Sequence, residues 1–453
     1  MMNLRIQQPF TSTPRRQEGS VSALMAFALA AMFMVAGLAL DVSHMLLNKT
    51  RLQNAVDAAA LSGAKTLSQM EGGASIVTIS TATRTAALNT LMQNANAAGN
   101  SELATAMDGN EVTFATVKLS NQLDGTTFDY PAPTPDAKYV QVEVQTYSLT
   151  GFFWNFVQTP GFGSLGAKAV SATATAGPSP TSPCDLAPLM VCGDPSQYDP
   201  SADMFWGFQF GDLQVLKTGA GKPSDNMSPG NYQLLDFGSG GNAVREDMAG
   251  GGKVCRNVGD EVQTAPGNKA GPTSQGLNTR FGIYDGGQIS ASAYPPDLVT
   301  TSSTPAITDD GTGPKYQNKA ITSNNGDLTA DGNAMLDYND WRASVAACVA
   351  APGGDCKANG VFERRMLKIV VGDCTDRQNG STSIPVLGFG CYFVVQPMSS
   401  GGQNSEIFGQ FVKECEGDNV AGPSSPTDFG PQIIQLYKTY RNVNNTSIPS
   451  TDS

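Results

Sequence analysis

The feature that most constrains this chain is a run without a single charge from Gly19 to Leu40, GSVSALMAFALAAMFMVAGLAL. At about 1.5 Å per residue, a helix of this length reaches roughly 33 Å, enough to cross the hydrocarbon core of a bilayer. Asp41 closes the run, and Arg15 and Arg16 stand just ahead of it. Arg5, Arg15 and Arg16 outnumber Glu18, a bias that holds residues 1–18 in the cytoplasm and sends the chain after Asp41 to the other side. Gly19, Phe27, Phe33 and Leu40 mark the expected anchor. The competing reading is a cleavable signal, whose apolar region would be about 7–15 residues long and end in small residues. Ala28-Leu29-Ala30 has that shape, but the run continues past it to Leu40. An uncleaved transmembrane helix over 19–40 is expected.

The 453 residues allow two or three domains, and only 15% of them are charged, with 49 Gly and 27 Pro. That make-up fits a β-rich or loop-rich protein outside the cytosol. The net charge of -12 contains no basic block, which argues against nucleic-acid binding. Cys184, Cys192, Cys255, Cys348, Cys356, Cys374, Cys391 and Cys415 all lie in the exported part. Their even number suggests disulfides formed in an oxidising compartment, with buried free thiols as the alternative. No CxxC occurs, so a zinc site is not expected. Cys184 with Cys192, and Cys348 with Cys356, are near enough in sequence to close local loops.

After Asp41, Leu52, Val56, Ala59, Gly63 and Leu67 recur at intervals of three and four. They form one apolar stripe, on a helix continuous with the anchor or joined to it near Asp41, and Gly72-Gly73 should end it. A second helix carries Ala87, Leu88, Leu91, Met92 and Ala95. The period then changes to two. Val140, Val142 and Val144 alternate with Gln141, Glu143 and Gln145, as in a strand with one wet face. Val112 and Phe114, then Val117 and Leu119, suggest an earlier strand with a slip in phase, and residues 171–176 a third. The aromatic stretch Gly151–Phe156 fits either a core plug or the membrane surface, and the core is the expectation. Residues 177–183, GPSPTSP, read as a linker between a domain at 41–176 and a cysteine-containing domain at 184–441. Strands are expected within 204–211, 232–241, 365–374, 383–397 and 432–440, a surface excursion between Ser290 and Asp340, and a loose tail over 442–453.

Gly37-Leu38-Ala39-Leu40-Asp41-Val42, followed by Leu52-Gln53-Asn54-Ala55-Val56-Asp57-Ala58-Ala59-Ala60-Leu61, resembles the N-terminal signature of the Tad (tight adherence) pilus-assembly proteins. The nearest type is the TadG-like group with its TadE/TadG-like N-terminal domain, and Arg15–Gly19 fits it too. The stretch from Cys184 to Cys192 also resembles the C-terminal region of some TadG-like proteins. The resemblance implies a single-pass protein of the bacterial inner membrane with a periplasmic body, working in the assembly of Flp-type (type IVb) pili. Its partners would be other assembly proteins or minor pilins, without cofactor or small-molecule substrate. Two departures bear on mechanism. Prepilins cut after Gly carry Glu at the fifth mature position, where cutting after Gly19 would place Leu24, which favours a fixed anchor. Larger relatives carry a von Willebrand A module with an Asp-x-Ser-x-Ser metal site, and Asp194-Pro195-Ser196-Gln197-Tyr198 stops one Ser short.

Small residues such as Ala55, Ala59 and Gly63 let helices approach closely, so the stripe suits either minor-pilin helices or this protein's own sheet. Catalytic chemistry is sparse. The single histidine, His44, lies just outside the expected bilayer, which leaves no Ser-His-Asp triad or HExxH site. Gly219–Ser224 lacks the Ser/Thr after Lys that a phosphate loop needs. Asp309, Asp310 and the stretch 327–340 lack calcium-loop spacing. Glu246 and Asp247, between glycine pairs, form the best cleft-like loop for carboxylate-only hydrolysis. The expectation is therefore an α+β protein: a transmembrane helix leading into a helix-plus-sheet, pilin-like domain, then a β-rich disulfide-containing domain. It acts in pilus assembly and is not an enzyme; an anchored envelope enzyme and a surface adhesin are the alternatives.

Overall fold

The anchor run and the small-residue stripe are one helix. In the computed structural model, which describes residues 20–450 apart from 71–72, 109–110, 155–165, 200–201, 219–230, 239, 266–268, 287–288, 378–380, 400–405 and 418–428, helix α1 covers Ser20–Met70. No Gly-Pro break interrupts it, so the anchor and stripe share an axis of about 76 Å. Its two parts face different surroundings. Phe27, Phe33 and Leu40 are exposed, whereas Leu52, Val56 and Ala59 are fully buried. The Gly73 N–H donates to Met70 O just past the helix end. Residues 1–19, including Gly19, fall outside the described residues, as do residues 219–224.

Helix α2 (Ile76–Ala95) is capped by the Ser75 hydroxyl, which accepts the Thr78 N–H, and packs along α1 through Ala87, Leu88 and Leu91. Helix α3 (Ser101–Met107) follows. Strands β1 (Thr116–Ser120), β2 (Tyr139–Ser148) and β3 (Ala169–Pro180) pair antiparallel in that order. The register sets Val140, Val142 and Val144 opposite Ala176, Ala174 and Ala172, large beside small, and all six are buried in the same apolar core as α1 and α2.

The sequence expectations need correction at several points. Val112 and Phe114 belong to a helical turn, Glu111–Phe114, and only Thr116–Ser120 is strand. The apparent slip in phase is the change from a helical period to a strand period. Residues 178–180 are not a linker but the end of β3, paired with Gly430–Tyr437. Thr181 donates its N–H to Pro431 O, so residues 179 and 181 turn their amides toward that partner. Pro178 and Pro180 then point the other way, where β2 pairing has already ended at Val140 and Ala176, and no ladder bond is lost. Of the expected loose tail, residues 442–449 contribute to a hairpin, Tyr440–Val443 with Thr446–Pro449, and residues 451–453 lie outside the described residues. Gln141 donates to Tyr440 O and the Arg441 guanidinium to the Thr173 hydroxyl, so the face of β2 expected to be wet is covered at Gln141 and partly at Glu143, while Gln145 stays exposed.

The cysteine-containing half is built on strands that close on themselves. In order these are Ser383–Val394, Met366–Asp373, Leu189–Gly193, Asn231–Leu234, Leu213–Thr218 and Glu406–Val412, the last pairing back to the first. Glu261–Gln263 adds to one side. Leu189, Val191, Leu367, Ile369, Tyr392 and Phe411 share one apolar cluster. The Ser290–Asp340 excursion carries a five-stranded meander between Thr308 and Ala334. Its underside (Ile307, Tyr316, Leu328, Met335) packs with Trp341 of the helix Tyr338–Ala350. Arg365 is buried beneath and donates to the carbonyls of Val299, Thr301, Val394 and Val395, which ties the excursion to the barrel.

All eight cysteines are paired: Cys184–Cys255, Cys192–Cys374, Cys348–Cys356 and Cys391–Cys415. Cys348–Cys356 closes the local loop that its spacing suggested. Cys184 and Cys192 do not pair. Cys192 sits on a strand parallel to Met366–Asp373, opposite Gly372, which brings Cys374 alongside. Asp185 pairs with Lys253, which brings Cys255 to Cys184.

Candidate functional site at the exit of the anchor helix

Where the apolar run ends, α1 turns one polar stripe inward. Asp41, His44 and Asn48 follow at intervals of three and four, and Asp41 and Asn48 are buried. The cation that meets them comes from just before β3. Lys168 Nζ lies 2.9 Å from Asp41 Oδ1, with both side chains almost completely enclosed. The same ammonium donates to Thr150 O at 2.8 Å and stands 3.0 Å from His44 Nδ1. An ammonium can only donate, so Nδ1 accepts, and a hydrogen on His44 Nε2 then serves Glu102 Oε2 at 2.8 Å. Glu102, from α3, accepts the Thr150 N–H through its other oxygen at 2.9 Å.

The loop between Thr150 and Lys168 is thus pinned to the helix at both ends. Its first residues complete the carboxylate's shell: the Phe152 and Phe153 N–H groups donate to Asp41 Oδ1 and Oδ2 at 2.9 and 2.7 Å. A buried charge pair is tolerated only when its remaining lone pairs and protons are satisfied in this way. The Phe152 ring meets His44 edge-on at 5.5 Å. Phe153 lies against Gly37, where an added Cβ would come within 2.4 Å of the ring. The aromatic stretch expected in the core is therefore not there: Phe152 is 63% and Phe153 43% exposed. Their backbone is committed to Asp41, which leaves the rings on the outside; Asn155 and Phe156 lie outside the described residues.

The other expected residues fall as follows. Of the anchor set, Phe27, Phe33 and Leu40 expose most of their side chains. Leu52, Val56 and Ala59 are enclosed by the protein's own core, and a Cβ on Gly63 would stand 3.1 Å from Val140 and 3.3 Å from Ala87. The stripe covers this chain's own sheet and second helix. Lys168 was not singled out in the sequence, because nothing in a strand-edge lysine points to an aspartate 127 positions away.

Other cavities lie elsewhere among the described residues. Glu246 and Asp247 line a cleft of about 760 Å³ with Lys253, Tyr294 and Arg364. Burial, with the neighbouring Glu246, pushes the Asp247 carboxyl up. Both acids come from one helix, Gly241–Gly250, and so from one wall. Glycosidic hydrolysis needs carboxylates flanking the bond from two sides. A second cavity of about 330 Å³ lies between the far end of α1 (Lys65, Gln69) and Asp185, Arg280, Glu363, Lys368 and Glu416. Burial pushes Glu363 up to about 7, although it accepts the Glu416 N–H at 2.6 Å. Among the described residues no group of three or more His, Cys, Asp or Glu is arranged to hold a metal ion.

No curated protein and no solved structure is detectably similar to this chain. Residues 19–66, which run from the head of the apolar segment through Asp41 and the buried stripe, match the Tad family model (Flp pilus-assembly TadE/G-like), so the chain carries a TadE/TadG-like N-terminal domain.

Proposed function

We propose that this chain is a structural component of a Tad-type pilus-assembly apparatus, held in the bacterial inner membrane by residues 19–40. Its N-terminus lies in the cytoplasm and its body in the periplasm, where it contacts minor pilins or other assembly proteins. The observation that carries the reading is the coincidence of the family match with the one helix among the described residues that is long and apolar enough to span a membrane. Two further features support it. Four disulfides suit an oxidising compartment. The Asp41 clamp fixes the helix rigidly to the body, as a permanent anchor requires. The role is structural rather than catalytic, since the acid-lined cleft offers its carboxylates from one side only.

Deletion with complementation tests the role. The full chain should restore surface pili, and a chain lacking residues 19–40 should not. Attachment lost with pili still visible would instead favour an adhesin. A periplasm-active reporter fused after residue 450 should be active, and activity of a cytoplasmic reporter there would overturn the topology.

A further inference from the structure

The apolar surface of α1 does not stop at Leu40. On the side away from the body, Val42, Leu46 and Leu47 are 42, 59 and 49% exposed. At the same level every strongly polar group of the helix is turned the other way, with Asp41 and Asn48 buried and His44 half-buried against the body. From Val21 to Leu40 the only residues not exposed are Met34, Gly37 and Leu38, a patch at helical spacing that includes the Phe153 contact. The body therefore reaches about 6 Å down the helix from Asp41, inside the uncharged run, and meets it with a phenylalanine ring. Two turns above, Phe152 sits at the level of His44, with the Lys168 ammonium 5.4 Å from its ring.

We propose that Phe152 and Phe153 form an aromatic shoulder immersed in the outer leaflet of the bilayer. The membrane boundary then lies near His44 and Leu47, beyond the end of the uncharged run. The partner is lipid: aromatic rings settle at the interface between acyl chains and head groups, and the outward face of α1 stays apolar to that depth. The buried Asp41–Lys168 pair lowers the cost of this placement, because these two charges neutralise each other inside the protein. The added length is taken up by tilt of the helix. This inference rests on the membrane reading above.

The test uses the full chain in phosphatidylcholine–phosphatidylglycerol nanodiscs whose lipids carry a quencher either at the head group or deep in the acyl chain. All native cysteines are disulfide-bonded, so a single added thiol can be labelled with a fluorophore. Phe33→Cys should lose emission to the deep quencher, and Phe152→Cys and Leu47→Cys to the head-group quencher. Val77→Cys, beyond the far end of α1, should lose none. Loss at position 33 but not at 152 and 47 overturns the shoulder and leaves the anchor standing. No loss at position 33 overturns the anchor and the shoulder together.

Discussion

Lys168 and Asp41 stand 127 residues apart in sequence and 2.9 Å apart in space, on the two sides of the point where the anchor helix enters the body. Removing one member of a buried pair strands the other, at about 3–5 kcal/mol, whereas apolar replacement of both is often neutral. Asp41→Leu alone should therefore destabilise the junction by about that amount. Asp41→Leu with Lys168→Met should recover only the part due to the stranded charge, since the Phe152 and Phe153 amides lose their acceptor in both variants. Urea unfolding of the two variants measures the difference, and hydrogen exchange at the Phe152 and Phe153 amides, which donate to Asp41, should be faster in both.

Glu363 gives the body a pH dependence opposite in sense to that of an ordinary paired carboxylate. Burial raises it to about 7. Below about pH 4 the group is protonated in both folded and unfolded chains and stability is complete. As pH rises toward 7 the unfolded chain ionises first, so stability falls, and above 7 it levels off. At about 1.4 kcal/mol per pKa unit, the loss is on the order of 3 kcal/mol. Glu363→Gln keeps an acceptor for the Glu416 amide and should flatten this slope in denaturant titrations between pH 4 and 8.

Ala59 is fully enclosed between α1 and its neighbours. Ala59→Trp should thus unfold or strongly destabilise the N-terminal domain, by about 3 kcal/mol or more, instead of removing a partner while leaving the fold intact. A lowered melting temperature and new protease cuts in residues 76–148 are the expected readouts.

The disulfides should differ in worth. In the chain-entropy account a loop of 8 residues, as in Cys348–Cys356, contributes about 2.5 kcal/mol and one of 182, as in Cys192–Cys374, about 5 kcal/mol. Paired Cys→Ala replacement followed by urea unfolding should show Cys192–Cys374 as the costlier loss.

Local signals in the sequence carried much of this fold. The i, i+3, i+4 stripe and the apolar side of the Val140–Val144 alternation each report a buried face, and both lie in the core; the uncharged run belongs to one long helix. The failures involve partners distant in sequence. GPSPTSP has linker composition, and only the arrival of Gly430–Tyr437 on one edge makes its prolines acceptable in a strand. The outer face of β2 looked wet until the Tyr440–Pro449 hairpin covered part of it. Phe152 and Phe153 have core composition, yet their amides are tied to Asp41 and their rings are left outside. At the site, Asp41 was visible as the end of the run and His44 as an isolated polar residue. Lys168, which joins them, gave no sign.

The strand Gly430–Tyr437 lies beside β3 in the sheet that supports the anchor helix. The sheet begun by residues 116–180 thus waits for residues 430–437 before its own architecture is complete. During synthesis β3 must keep an open edge while some 250 residues emerge behind it. A truncation before residue 430 would harm the region nearest the N-terminus, so the two halves are not interchangeable modules that could be expressed or exchanged separately.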